Sequence, residues 1–105
     1  MPQFAVHRNA NPATQSAVPL LLDVQSDLIA ELGTRVVAPL YTALAMRGKT
    51  MKTLTPVLVV GGKSYVMVTP QLAGVVRKYL GAQVGELSAQ RDAILAALDF
   101  LVSGY

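Results

Sequence analysis

Two β-rich runs meet at a pair of glycines in the middle of the chain, and no other stretch restricts the fold as strongly. Pro56-Val57-Leu58-Val59-Val60 precedes Gly61-Gly62, and Ser64-Tyr65-Val66-Met67-Val68 follows. Valine and tyrosine suit a pleated strand. A two-residue turn between strands needs positive φ at its centre, which glycine adopts without steric cost. The segment therefore predicts a β-hairpin. Read with Lys63-Ser64, the same glycines look superficially like a phosphate loop. The GxxxxGK[ST] spacing is missing, however, and a strand rather than a helix follows.

Around this hairpin the pattern is mostly β. Phe4 and Val6 alternate with Ala5 and His7, predicting a first strand over residues 3–8. Residues 9–16 are polar and contain Pro12, as a loop would. Val18, Leu20, Leu21, Leu22 and Val24 predict a largely buried strand over residues 17–25. Residues 35–40 form a third candidate, with Pro39 placing it at an edge or an end. Residues 41–46 suit a helical turn or a strand equally. Residues 70–74 read as a turn or short helix, and residues 75–80 as a further strand closed by Gly81.

The period changes near the C-terminus. Leu87, Ile94, Leu98 and Leu101 recur at helical spacing, with Leu95 and Val102 beside them and Asp92, Asp99 and Ser103 opposite. Ser88 is placed to act as N-cap, and Asp92 lies early in the helix, where a carboxylate suits the dipole. Gly104 is expected to end the helix, leaving Tyr105 as a terminal aromatic. The fold class expected is mostly β, with five to seven short strands followed by one C-terminal α-helix.

At 105 residues the chain reads as a single domain over residues 1–105. Charged residues make up 14% and hydrophobic ones 52%, against about 25% charged in a typical soluble protein. One small core leaves some of that apolar surface outside, which marks a partner surface and makes a homodimer the first expectation. No run is long and apolar enough to span a membrane. The start, Met1-Pro2-Gln3-Phe4, lacks the features of a signal peptide, and there is no cysteine, so a cytoplasmic location is expected. The net charge of +3 is spread out, which is weak for nucleic acid and suits an acidic protein partner at least as well; no sequence-specific nucleic-acid binding is expected.

Side chains for catalysis are scarce. His7 is the only histidine, and as a lone strand residue it reads as surface or half-buried. No metal-ligand spacing appears, and no cofactor motif. The densest polar cluster is Asp23-Val24-Gln25-Ser26-Asp27, with Glu31 and Arg35 close behind. Two carboxylates and an arginine could do acid–base work on RNA. The reading that composition favours is that Asp23 and Asp27 close a turn after a buried strand and pair with Arg35. Ser26 has no adjacent base, so a nucleophile is unsupported. The terminal helix and tail are the remaining candidate, because an apolar helix running almost to the chain end, with tyrosine last, has the character of an interface anchor.

The run Leu22-Asp23-Val24-Gln25-Ser26-Asp27-Leu28-Ile29 is followed closely by Arg35-Val36-Val37-Ala38-Pro39-Leu40. With the helix Ile94-Leu95-Ala96-Ala97-Leu98-Asp99-Phe100-Leu101 it resembles the CcdB family of toxins over nearly the whole chain. The resemblance implies a homodimeric, SH3-like β-barrel with a C-terminal helix. It also implies a toxin that binds the A subunit of DNA gyrase and traps the enzyme on cleaved DNA, without catalysis of its own. An acidic, partly disordered CcdA-like antitoxin would neutralise it by folding onto the dimer. The resemblance carries gyrase binding onto Asp99, Val102, Ser103, Gly104 and Tyr105, with Leu28 and Ile29 nearby. It gives Asp23, Gln25, Ser26, Asp27, Arg35 and Pro39 the part of a structural motif. The best-known family ending is Trp-Gly-Ile, whereas this chain ends Ser103-Gly104-Tyr105, so Tyr105 would have to replace the lost aromatic contact. Two rival expectations stand beside this one: an endoribonuclease toxin on the same barrel, using Asp23, Asp27, Arg35 or His7, and a non-toxic interaction module with a changed target.

Overall fold

The computed structural model describes residues 3–29 and 33–104, with the side chain of Ile29 outside the description. Among the described residues there are seven strands: β1 (Ala5–Asn9), β2 (Leu20–Asp23), β3 (Thr34–Thr42), β4 (Val57–Val60), β5 (Lys63–Met67), β6 (Ala73–Val76) and β7 (Leu80–Glu86). One helix, α1 (Arg91–Ser103), follows. All pairings are antiparallel, in the order β4-β5-β3-β2-β1-β7, with β6 beside the first half of β3.

The sheet curls into a half-barrel, so that its two end strands approach one another: a Cβ on Gly85 of β7 would lie 3.4 Å from Val60 of β4. Inside the curl, Val6, Leu20, Leu22, Ala38 and Leu40 pack with Leu58, Met67 and the helix residues Ile94 and Ala97. The alternate residues Leu21 and Val37 face the other way and form a smaller cluster with Val18 and Leu80. Period-two alternation thus produces two apolar faces from one set of strands.

The hairpin forms as its residues require. Gly61 and Gly62 have φ of +58° and +82°, and Val60 pairs with Lys63 across them. Gly104 ends α1 in the left-handed region at φ +77°, its N–H donating to the Phe100 carbonyl at 2.8 Å.

Several expectations shift. Pro39 lies neither at an edge nor at an end: β3 is an interior strand, and Pro39 is buried opposite Leu21. The far side of β3 is divided between partners, β6 as far as Val37 and β5 from Leu40 onward. The missing N–H of Pro39 falls in that gap, while its carbonyl accepts the Val68 N–H at 3.0 Å. The expected strand over residues 75–80 is two elements, β6 and the start of β7, separated by a 3-10 turn at Arg77–Tyr79. Gly81 therefore does not close a strand but belongs to β7, where a side chain would come within 3.0 Å of the Arg8 carbonyl. Of residues 41–46, Tyr41 and Thr42 complete β3 and the rest turn.

Ser88 does not cap the helix by its side chain. It opens a 3-10 turn, Ser88–Gln90, and its N–H donates to Glu86 Oε1 at 2.6 Å. His7 is buried rather than half-exposed, with Nδ1 3.1 Å from the Gly81 carbonyl. Leu95 and Leu101, counted with the core face of the helix, stay 47% and 39% exposed, while Ile94, Ala97 and Leu98 make the contact with the core.

Candidate functional site

The polar motif at the end of β2 is buried at Asp23 and Gln25 and exposed at Asp27. Arg35 Nε and Nη2 donate to Asp23 Oδ2 and Oδ1 at 2.7 and 3.0 Å, and both side chains are wholly inaccessible. Asp23 Oδ1 also accepts the Gln25 N–H at 3.0 Å. Gln25 Oε1 in turn accepts the Val36 N–H at 3.0 Å, tying the motif back to β3. Such a two-pronged guanidinium–carboxylate contact carries directional as well as electrostatic strength. Asp27 stands 4.0 Å from Arg35 and accepts the Gln3 N–H at 2.8 Å.

This frame presents a turn. The residues Asp27–Ile29 make one 3-10 turn, with the Leu28 N–H donating to Ser26 Oγ at 3.2 Å. Leu28 is 94% exposed, an unusual position for a leucine that its backbone holds in place. Glu31 and Tyr105 lie outside the described residues.

The second group is the end of α1. Its first turn carries Asp92, and Ile94 and Ala97 root it in the core. Val102 is 86% exposed, and Ser103 Oγ donates to the Asp99 carbonyl at 2.8 Å, turning the hydroxyl inward along the helix. Asp99, Ser103 and Gly104 are exposed beside it.

Phe4 links the polar motif to the segment that precedes α1. It has φ +69°, the only non-glycine in that region among the described residues, and such a conformation costs about 1–2 kcal/mol. Its N–H donates to the Asp23 carbonyl at 2.6 Å, and its own carbonyl accepts the Leu87 N–H at 2.9 Å. The strained residue is therefore a short backbone bridge from the polar frame to the segment that launches the helix, with its ring buried in the main core.

Two features escaped sequence reasoning. Gln90 reaches the edge strand β4, where its Oε1 accepts the Val59 N–H at 3.0 Å and its Nε2 donates to the Val59 carbonyl at 2.8 Å. The side-chain amide thus stands in for a missing strand partner, and only the tertiary approach of α1 to β4 reveals it. On the outer face of the sheet, Val18, Leu21, Val37, Tyr41, Val75 and Tyr79 line a hollow of about 490 Å³. The alternation in β2 and β3 hinted at this second face, but not at its concavity. Among the described residues, no group of three His, Cys, Asp or Glu could hold a metal ion, and no helix is long and apolar enough to cross a membrane.

A curled, mostly β sheet that packs one C-terminal helix against its concave side leaves Leu28 and Val102 uncovered. A family model described as CcdB protein matches residues 3–104, and the chain belongs to the CcdB family. It is accordingly a toxin of a toxin–antitoxin module, of the family that acts on DNA gyrase.

Proposed function

We propose that this chain is a homodimeric poison of DNA gyrase that works by binding rather than catalysis. It binds the gyrase A subunit, traps the enzyme with its DNA cleaved, and is neutralised by a CcdA-like antitoxin in the cytoplasm. The contacts we assign to gyrase are Leu28 and Ile29 with Asp99, Val102, Ser103, Gly104 and Tyr105. Asp23, Gln25, Ser26, Asp27, Arg35 and Pro39 serve as the frame that holds the first of these in place.

The observation that carries the reading is the exposure of Leu28 and Val102, at 94% and 86%, on backbone braced by hydrogen bonds. Apolar side chains fixed in water in this way act as interface anchors at little entropic cost on binding. Leu44, Met51, Leu95 and Leu101 are also exposed, which supports a second copy as well as a target. The endoribonuclease reading is disfavoured because, of the four residues it would use, Asp23, Arg35 and His7 are buried and only Asp27 is exposed, which leaves no pair of groups facing a substrate.

Survival on expression in cells with normal gyrase and with toxin-resistant gyrase tests the target. Killing of the normal cells alone is expected. The variant lacking residues 103–105 is expected to lose toxicity and gyrase binding while remaining a folded dimer that still binds antitoxin. Undiminished killing by that variant would overturn the tail assignment, and equal killing of both strains would overturn gyrase as target.

A further inference from the structure

The distribution of charge sets one region of the surface apart from the sites above. Seven of the nine basic residues fall within residues 32–85 (Arg35, Arg47, Lys49, Lys52, Lys63, Arg77 and Lys78), and none of the six acidic ones does. Arg35 is neutralised by Asp23 in the interior, but the others remain exposed. At the open mouth of the half-barrel, one of them shares a depression with a basic residue from another part of the chain. Lys63, which begins β5 just past the Gly61-Gly62 turn, and Arg8, near the end of β1, line a single depression of about 280 Å³.

The form of this depression follows from the strands. Leu20 and Val60, both buried, make its floor, and Tyr65 and Val84 its walls. Arg8 and Lys63 are exposed at the rim, and neither has an ion pair among the described residues. Like charges brought to one mouth without a carboxylate between them raise each other's electrostatic energy, and an anion placed between them relieves it. Arginine offers a planar fork of N–H donors suited to phosphate oxygens, and lysine a mobile point charge. The mouth of a β-barrel is a common place for a small ligand. The register separates this end from the helix, for Ala5 pairs with Glu86, where the chain turns toward α1, whereas Asn9 pairs with Leu80.

We propose that the mouth formed by Arg8, Lys63, Tyr65 and the Gly61 turn is a phosphate-binding site, taking the phosphate of a nucleotide that is free or part of a nucleic-acid strand. The cations hold the phosphate, and the Tyr65 and Val84 walls cover the organic group attached to it. The site does not depend on the tail or on gyrase as target.

Amide shifts of the ¹⁵N-labelled full chain, titrated separately with inorganic phosphate, with AMP and with a short oligothymidylate, test the proposal. Saturable shifts centred on Arg8, Gly61, Lys63 and Val84 are expected. The Arg8→Gln/Lys63→Gln double variant should bind about tenfold more weakly or worse, while Arg8→Lys/Lys63→Arg retains binding. If the strand is the ligand, two phosphate contacts should weaken its binding about sevenfold between 50 and 200 mM salt. If the free nucleotide is the ligand, AMP shifts these residues and the oligothymidylate does not. Should the double variant fail to fold, Arg8→Gln and Lys63→Gln read singly give the same comparison. Absence of shifts at these residues with all three probes, or equal shifts in the glutamine variants, would overturn the site.

Discussion

The Arg35 guanidinium grips the Asp23 carboxylate at 2.7 and 3.0 Å, and neither side chain is reached by solvent. Their shared burial makes each the condition for the other. Removing one partner leaves an uncompensated charge in the interior, whereas removing both leaves only a packing defect. Asp23→Ala and Arg35→Ala are each expected to cost about 3–5 kcal/mol. The pair Asp23→Leu/Arg35→Met should cost much less than the sum, as urea midpoints in a double-mutant cycle would show. Additive losses would mean that the two residues act independently.

Gln90 offers a second, local test. Because its amide makes both bonds to Val59, Gln90→Ala should lower stability by about 1–2 kcal/mol. It should also accelerate amide hydrogen exchange at Val59 well beyond that at Leu58. Gln90→Glu retains only the acceptor, so it should rescue exchange protection at Val59 in part without restoring stability.

Leu28 should separate binding from folding. A side chain 94% exposed contributes little to the core, so Leu28→Asp is expected to change stability by no more than about 0.5 kcal/mol. Calorimetric titration against the gyrase A subunit should show the affinity reduced about thirtyfold or more, as for loss of a central apolar anchor. Unchanged affinity would remove Leu28 from the contact surface.

Residues whose conformation depends on their neighbours in sequence were readable without the structure. Gly61-Gly62 specified its turn because positive φ at two successive positions is costly for most other pairs. Gly104 ended α1 for the same reason, and the spacing of Ile94 and Leu98 announced the helix that precedes it. The motif from Asp23 to Asp27 stood out as polar, but sequence left open whether it was a site or a frame. The structure adds that Asp23 and Arg35 stand at zero exposure in mutual contact, whereas Asp27 stays exposed.

By itself, then, the sequence determined a mostly β chain with one hairpin, one terminal helix and a resemblance to one toxin family. Tertiary structure alone decided the rest. Pro39 could sit inside the sheet only because β5 and β6 divide one side of β3 between them. β7 formed from the weakly apolar Gly81-Ala82-Gln83-Val84-Gly85 because β1 offered it a partner, and ladder hydrogen bonds do not depend on side-chain hydropathy. The depression that Arg8 shares with Lys63 and the clasp of Gln90 on Val59 likewise follow from the curl of the sheet. A curl is set by the sum of twists over all its strands, and no single stretch of residues encodes that sum.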